Sequence, residues 1–327
     1  MTRPSRPVVQ ICLLLAVGIL GVLSLGVGKV WVPPQVWLNS SDPLSPIILQ
    51  LRLPRALLGM VVGAALGMSG AAMQGYTRNP LADPGVLGVA AMAALGAVLT
   101  LYFGAGGQQP WIIAGAAMAG ALFAVVALLA ISGSGSSLVT FVLAGVILQT
   151  IASAGVALAL SLAPNPWAKD EIITWIMGAL ADRSLGDVAM ATPLILAGCG
   201  LLLLTGRALD ALTLGETGAR SLGVDMAQTR RLLALGVALT AGASVAVTGI
   251  IGFVGLIVPH LLRPLVGSRP GALLIPSALG GAILVQAADI AVRLTPGAAE
   301  LRLGVAMAML GGPFFLVLLI SMRRNLA

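Results

Sequence analysis

Charge is what this chain has least of: Asp, Glu, Lys and Arg make up 9% of its 327 residues, where a soluble domain carries about 25%. With 58% apolar residues and a mean hydropathy of +1.05, a soluble fold could not cover so much apolar surface, and that class is excluded. Strict alternation of apolar and polar residues is missing too, which removes a membrane β-barrel. Histidine occurs once, at His260. With no second His, and carboxylates only near the ends of apolar runs, neither a transition-metal site nor a proton relay can be assembled. His260 is expected to act as a cap or hydrogen bond beside Pro259. The two cysteines, Cys12 and Cys199, lie inside apolar runs and exclude a disulfide framework. Lysine is confined to Lys29 and Lys169, and no Gly-x-x-x-x-Gly-Lys-Ser/Thr run cradles a phosphate, so the chain is expected to have no ATPase site and not to be an enzyme. The pI of about 10.7 invites a nucleic-acid reading. The bases, however, stand singly at the ends of apolar runs without interleaved aromatics, as topology signals do.

What the chain has in quantity is apolar sequence in lengths of roughly 20 residues, enough for a helix to cross a bilayer. Ten spans can be laid down, at 8–28, 55–76, 84–104, 111–131, 138–161, 188–206, 232–250, 252–267, 271–292 and 301–321. Arg3 and Arg6 before the run Val8 to Val27 have the charge layout of a secretory signal, but the run is too long and no small-residue cleavage site follows, so it reads as an uncleaved first span. The fold class expected is all-α: a polytopic membrane protein, one transmembrane domain over 1–327, with both termini in the cytosol. Cytosolic positions then hold Arg3, Arg6, Arg78, Arg207, Arg220, Arg230, Arg231, Arg263, Arg269, Arg323 and Arg324 against Asp83, Asp210, Glu216 and Asp225. The outer side is neutral, and the bias obeys the positive-inside rule. The longest polar interruption, Arg207 to Arg231, falls on the cytosolic side.

Glycine is abundant, at 42 residues. In the second span Gly59, Gly63, Gly67, Ala71 and Gly75 recur every fourth residue, a smooth stripe expected to let another helix approach closely. Gly236, Thr240, Ser244 and Thr248 repeat the spacing in the seventh. The run RALLGMVVGAALGMSGAAMQG from Arg55 can be laid beside RRLLALGVALTAGASVAVTGI from Arg230, and each is followed by a Pro-broken segment, Asn79 to Pro84 and Pro259 to Pro264. By the span count the two units run in opposite directions, and inverted repeats with interrupted helices mark transporters.

Five motifs then stand in order: RLPR at Arg52 to Arg55, MQGYTRNPLADPGVLG at Met73 to Gly88, WIMGAL at Trp175 to Leu180, GETGARSLGV at Gly215 to Val224 and GFVGLIVPHLLRPLVG at Gly252 to Gly267. In sequence and spacing they resemble the FecCD-type permeases, membrane subunits of binding-protein-dependent ABC importers for iron siderophores, haem and cobalamin. The resemblance covers about 50–325. It implies ten spans in a type II importer fold, a permease dimer (a homodimer is expected), two cytosolic ATPase subunits carrying ATP and its magnesium, and a periplasmic solute-binding protein. No cofactor, metal or nucleic acid is expected on this chain, and the implied location is the inner membrane of a bacterium.

The resemblance also assigns residues. Glu216, Ala219, Arg220, Ser221, Leu222, Gly223, Val224 and Met226 fall in the element that couples to the ATPase. Locally, Glu216 to Leu222 and Val224 to Arg231 are each expected to form about two helical turns separated by Gly223, with Glu216 near a helix start and Arg230 and Arg231 near an end to suit the dipole. Leu222, Val224 and Met226 supply apolar contacts. On the outer face Arg52, Arg55 and Arg293 match arginines that dock the binding protein, although Asp289, four residues before Arg293, offers a local ion pair. Rim charges of this kind mainly set encounter rate. Ser136 and Ser137, in SGSGSS, match the inner gate only loosely. Asp83 and Pro84 are expected to cap and open the third span. Trp175 to Leu180 is expected to form a short helix over the outer mouth, near 172–181. Ala179 and the run Ala90 to Ala94 depart from the family's usual Gly, Ser and hydroxyl residues, which leaves the cargo open.

Two other classes remain to be weighed. A secondary transporter driven by an ion gradient would be served equally by an inverted repeat, but it requires acids in mid-span, and none is there. A membrane-embedded enzyme requires a nucleophile or metal cluster within the spans, and none is visible.

Overall fold

In lipid each backbone N–H and C=O must be satisfied within its own segment, so a chain of this composition folds into helices. The computed structural model describes residues 5–37, 42–104, 110–133, 137–296 and 300–324, and every long element among them is helical. In chain order these are α1 (Arg6–Gly26), α2 (Leu53–Thr77, entered through a π-helical turn Ile47–Arg52), α3 (Val89–Tyr102), α4 (Pro110–Ser132), α5 (Leu138–Ser161), α6 (Pro166–Ile176), α7 (Leu185–Leu204), α8 (Gly206–Leu212) and α9 (Gly215–Ser221). There follow α10 (Met226–Val237) and α11 (Ala243–Thr248), fused by the π-helical turn Ala238–Gly242, then α12 (Val254–Val266), α13 (Pro270–Arg293) and α14 (Leu303–Arg324). Eight helical rods among the described residues are long and apolar enough to cross a membrane. The half-length helices α3 and α12, of 14 and 13 residues, complete ten apolar segments at the ten places the sequence assigns.

Contacts fix which ends lie together. Arg293 donates to the Ser24 carbonyl, Ala179 N–H to the Thr248 carbonyl, and Gly304 N–H to the Gly178 carbonyl. The end of α1, the ends of α11 and α13, and the start of α14 are therefore at one end of the bundle. At the other, Arg230 reaches Tyr76 and the Gly133 carbonyl, and Arg269 reaches Asp210. Residues 6 and 324 consequently emerge at the same end as the polar segment 206–231.

The glycine stripe explains the centre. A Cβ added at Gly67 would lie 2.0 Å from the Ser277 carbonyl oxygen, and one at Gly63 would lie 2.4 Å from that of Gly281. The backbones of α2 and α13 thus touch directly, a distance only side-chain-free positions allow. Gly75 meets the Pro270 Cβ at 2.8 Å and Gly59 the Leu180 side chain at 3.4 Å, so the stripe loosens towards its ends.

The inverted repeat is visible as two rod-plus-half-helix units. In the first, α2 breaks over 78–88 before α3; in the second, the α10–α11 rod breaks over 249–253 before α12. The second break is not at Pro259 to Pro264, which both lie inside α12. Proline at 259 releases the carbonyl of Gly255 from its helical bond, and Gln74 of α2 donates to that carbonyl at 3.0 Å. A partner from another helix thus replaces the missing N–H, so the helix continues. Two further expectations change. Residues 226–231 are the first turns of the seventh span and not a separate cytosolic helix. The short helix at the opposite end is α6, and Gly178, at φ +69°, turns the chain within Trp175 to Leu180.

Candidate functional site

The polar segment is built outward from α7. Thr205 ends that helix with its hydroxyl on the Leu202 carbonyl, and Leu209 and Leu212 of α8 and Ala219 of α9 are buried against the bundle. Asp210 anchors the segment to α13, accepting from the Arg269 guanidinium at 2.7 Å and from the Gly271 N–H at 2.8 Å. Glu216 sits in the first turn of α9, where a carboxylate suits the helix dipole.

At the end of α9 the Val224 N–H donates to the Ala219 carbonyl (3.1 Å) and the Gly223 N–H to that of Arg220 (2.9 Å). This pair of bonds is the Schellman arrangement. It requires a left-handed residue between them, and Gly223 supplies it at φ +82°. Asp225 then caps α10, accepting from the Gln228 and Ala227 N–H groups. The bond from Gln228 first, then that from Ala227, holds its carboxyl below the usual carboxylate range despite some opposing burial. A depressed carboxylate stabilises when charged, so this cap is intact at neutral pH and is lost only as pH falls through that lowered value.

The segment therefore presents a stiff, doubly capped corner. Met226 is buried and Val224 half-buried, while Arg220, Ser221, Leu222 and Gly223 are exposed. Leu222 is 64% exposed and Leu214, unremarked in the sequence, 68%; its one signal there is an apolar residue in a polar stretch. Arg230 does not end a cytosolic helix. It is buried, donates to Tyr76 (3.2 Å) and lies over the Phe141 ring (5.5 Å), tying α10 to α2 and α5.

At the opposite end the three arginines are turned inward, not displayed on a rim. Arg52 is buried and donates to the carbonyls of Leu25, Gly26 and Val30. Arg55 pairs with Asp289 and Glu300, each at 2.9 Å. Arg293, also buried, pairs with Asp289 at 3.2 Å and donates to the Ser24 and Val27 carbonyls. The local Asp289–Arg293 pair is thus present, as part of a network that clamps α1, α2 and α13. Asp289 is enclosed by two guanidinium groups, and breaking such a pair strands buried charge. Asp289→Asn should lower stability by about 3 kcal/mol, read as the unfolding temperature in detergent; an unchanged value would mean the network is solvated.

Ser136 lies outside the described residues. Ser137 is exposed and caps α5, its hydroxyl accepting from the Thr140 N–H at 3.3 Å. His260 makes no cap: its ring meets Phe314 edge-on at 5.9 Å, and Nδ1 has no partner among the described residues. Asp83 does cap, accepting from Gly85 N–H at 2.8 Å. The two chain breaks converge on a cavity of about 220 Å³ lined by Asp83, Gln149, Ser153, Val245 and Phe253. Sequence reasoning missed Gln149 and Ser153, whose only signal is polarity within an apolar helix. No group of three or more metal-ligating side chains occurs among the described residues.

Ten antiparallel apolar segments, a break in each half and a stiff polar corner at the same end as residues 6 and 324 define a polytopic membrane permease. The chain belongs to the FecCD transport family, whose pattern matches residues 14–321. It is 37% identical over 314 residues to the hemin transport system permease protein HmuU of Yersinia pestis, covering 94% of this chain and 91% of that one. It is 38% identical over 308 residues to the vitamin B12 import system permease protein BtuC of Salmonella typhi, covering 93% and 92%. A solved structure described as a metal-chelate type ABC transporter in an inward-facing conformation superposes with a TM-score of 0.87 at 32% identity, over 96% of this chain and 99% of that one.

Proposed function

We propose that this permease carries an iron chelate, haem or cobalamin across the cytoplasmic membrane in a binding-protein-dependent ABC importer, driven by ATP hydrolysed on separate subunits. The observation that carries the reading is the stiff corner at α9, with Leu214 and Leu222 exposed beside it. Apolar tips on a rigid polar segment suit insertion into a partner's groove, and closure of that partner would move the helices to which the segment is fused. Two cytosolic ATPase subunits are the partners proposed there, so this end and both termini face the cytosol, as the charge bias favours.

A second copy of the chain is proposed to cover α5. Gln149, Thr150 and Ser153 are exposed on it, and polar groups of that kind are better placed against a pathway or another helix than in lipid. The solute-binding protein is proposed to dock at the end bearing α6, with Arg55 and Glu300 near the contact and Arg52 and Arg293 supporting them from beneath. The haemin and vitamin B12 relatives favour a bulky cargo.

Uptake in proteoliposomes tests the proposal. Reconstituted with ATPase subunits and binding protein, the permease should accumulate cargo only with ATP inside the compartment those subunits face. Uptake by the permease alone, driven by a proton or sodium gradient, would overturn the reading in favour of a secondary transporter.

A further inference from the structure

The inward-turned arginines do more than clamp helices. Together with Lys29 they line a cavity of about 260 Å³ between the end of α1, the π-helical turn before α2 and the end of α13. Arg52, Arg55 and Arg293 face Glu300 in its wall and Asp289 just behind it, so the guanidinium groups exceed the carboxylates by one, and Lys29 lines the same cavity. Among the described residues, Nη2 of Arg55 has no hydrogen-bond partner, although Nε and Nη1 are spent on Asp289 and Glu300. Such a cavity favours an anion that brings its own oxygens.

The cavity's edges indicate which anion. Val30, Trp31, Leu49 and Leu51 are all exposed, Trp31 by 66%. They flank the basic groups at the end of α1, a helix whose apolar side chains are mostly exposed as well. Tryptophan beside a basic side chain at a span end belongs at the level of lipid headgroups. A basic cavity between helices at that depth offers a phosphate-bearing headgroup charge-assisted hydrogen bonds.

We infer that this cavity binds the phosphate of an anionic phospholipid, with the acyl chains lying along α1 over Trp31 and Leu51. The lipid supplies the negative charge that Asp289 and Glu300 leave unmatched on the three arginines and seals α1 against α2 and α13. The phosphate chemistry would also fit a free anion, and the exposed apolar edge is what favours the lipid.

Native mass spectrometry of the purified full chain, titrated with phosphatidylglycerol, phosphatidylcholine or inorganic phosphate, tests the inference. One phosphatidylglycerol should be retained about tenfold more tightly than phosphatidylcholine, and inorganic phosphate should not displace it. Lys29→Glu, an exposed position whose change leaves the buried clamp in place, should remove most of that preference, as should high salt. Trp31→Ala should shorten retention of the lipid without altering any response to phosphate. Equal retention of the two lipids would overturn the inference, and displacement by inorganic phosphate would show an anion site without a lipid. If Lys29→Glu lost capture of the solute-binding protein while lipid retention stayed unchanged, the cavity would be a protein-docking site instead.

Discussion

Gly223→Pro should abolish uptake by the proposed importer while ATP hydrolysis on its proposed partner subunits continues. The residue sits at φ +82°, which proline, fixed near −65°, cannot adopt. The change also deletes the N–H that donates to the Arg220 carbonyl at 2.9 Å. Both bonds of the Schellman corner are then lost, and α9 is no longer held at a fixed angle to α10. The buried anchors Leu209, Leu212 and Met226 remain, so the transmembrane bundle should still form. Glu216→Arg combined with Arg220→Glu should have a similar effect by another route, reversing the charges at the two ends of α9. Measuring hydrolysis and uptake on the same proteoliposomes separates the outcomes. Coupling that survives both changes would reduce the segment to a simple connector.

Gly67→Val should prevent the protein from folding at all. Even a single methyl at this position would lie 2.0 Å from a carbonyl oxygen of α13, and that oxygen belongs to a helix backbone that cannot rotate aside. Overpacking of a tight core costs about 1–3 kcal/mol and sometimes more, and here two long helices would have to separate along their length. The same reasoning orders the stripe: Gly67 and Gly63 least tolerant, Gly75 next, and Gly59, whose nearest neighbour is the movable Leu180 side chain at 3.4 Å, most tolerant. Yield of monodisperse protein and unfolding temperature for alanine at each position would check that order. A folded Gly67→Val variant, or an inverted order, would show that α2 and α13 do not meet backbone to backbone.

The stripe was legible in the sequence because its period of four is a local property of one helix. Its partner was not, since nothing in residues 59–75 points to Ser277 or Gly281. The second chain break falls at 249–253, and not at Pro259 to Pro264 where the sequence places it, for a related reason. Proline at 259 breaks helices in isolation, but Gln74, remote in sequence, supplies the donor for the Gly255 carbonyl and also accepts from Arg263. Likewise Val224 to Arg231 had the composition of a short surface helix. The structure runs residues 226–231 straight into the seventh span, because Arg230 is drawn into the bundle by Tyr76, Phe141 and the Gly133 carbonyl.

By itself the sequence determined the membrane class, the number and places of the apolar segments, the opposed halves and the family. Hydropathy, charge bias and motif order are read along the chain, one stretch at a time, and need no knowledge of neighbours. Only the tertiary structure decided what the charged residues do. Arg55 and Asp289 are 234 positions apart, and whether a guanidinium faces water, a carboxylate or a headgroup depends on which helices enclose it. The cost of burying a charge is set by partners that the fold brings from elsewhere, so three arginines that the sequence offers only as charges on the outer face are held in a clamp that also walls a cavity.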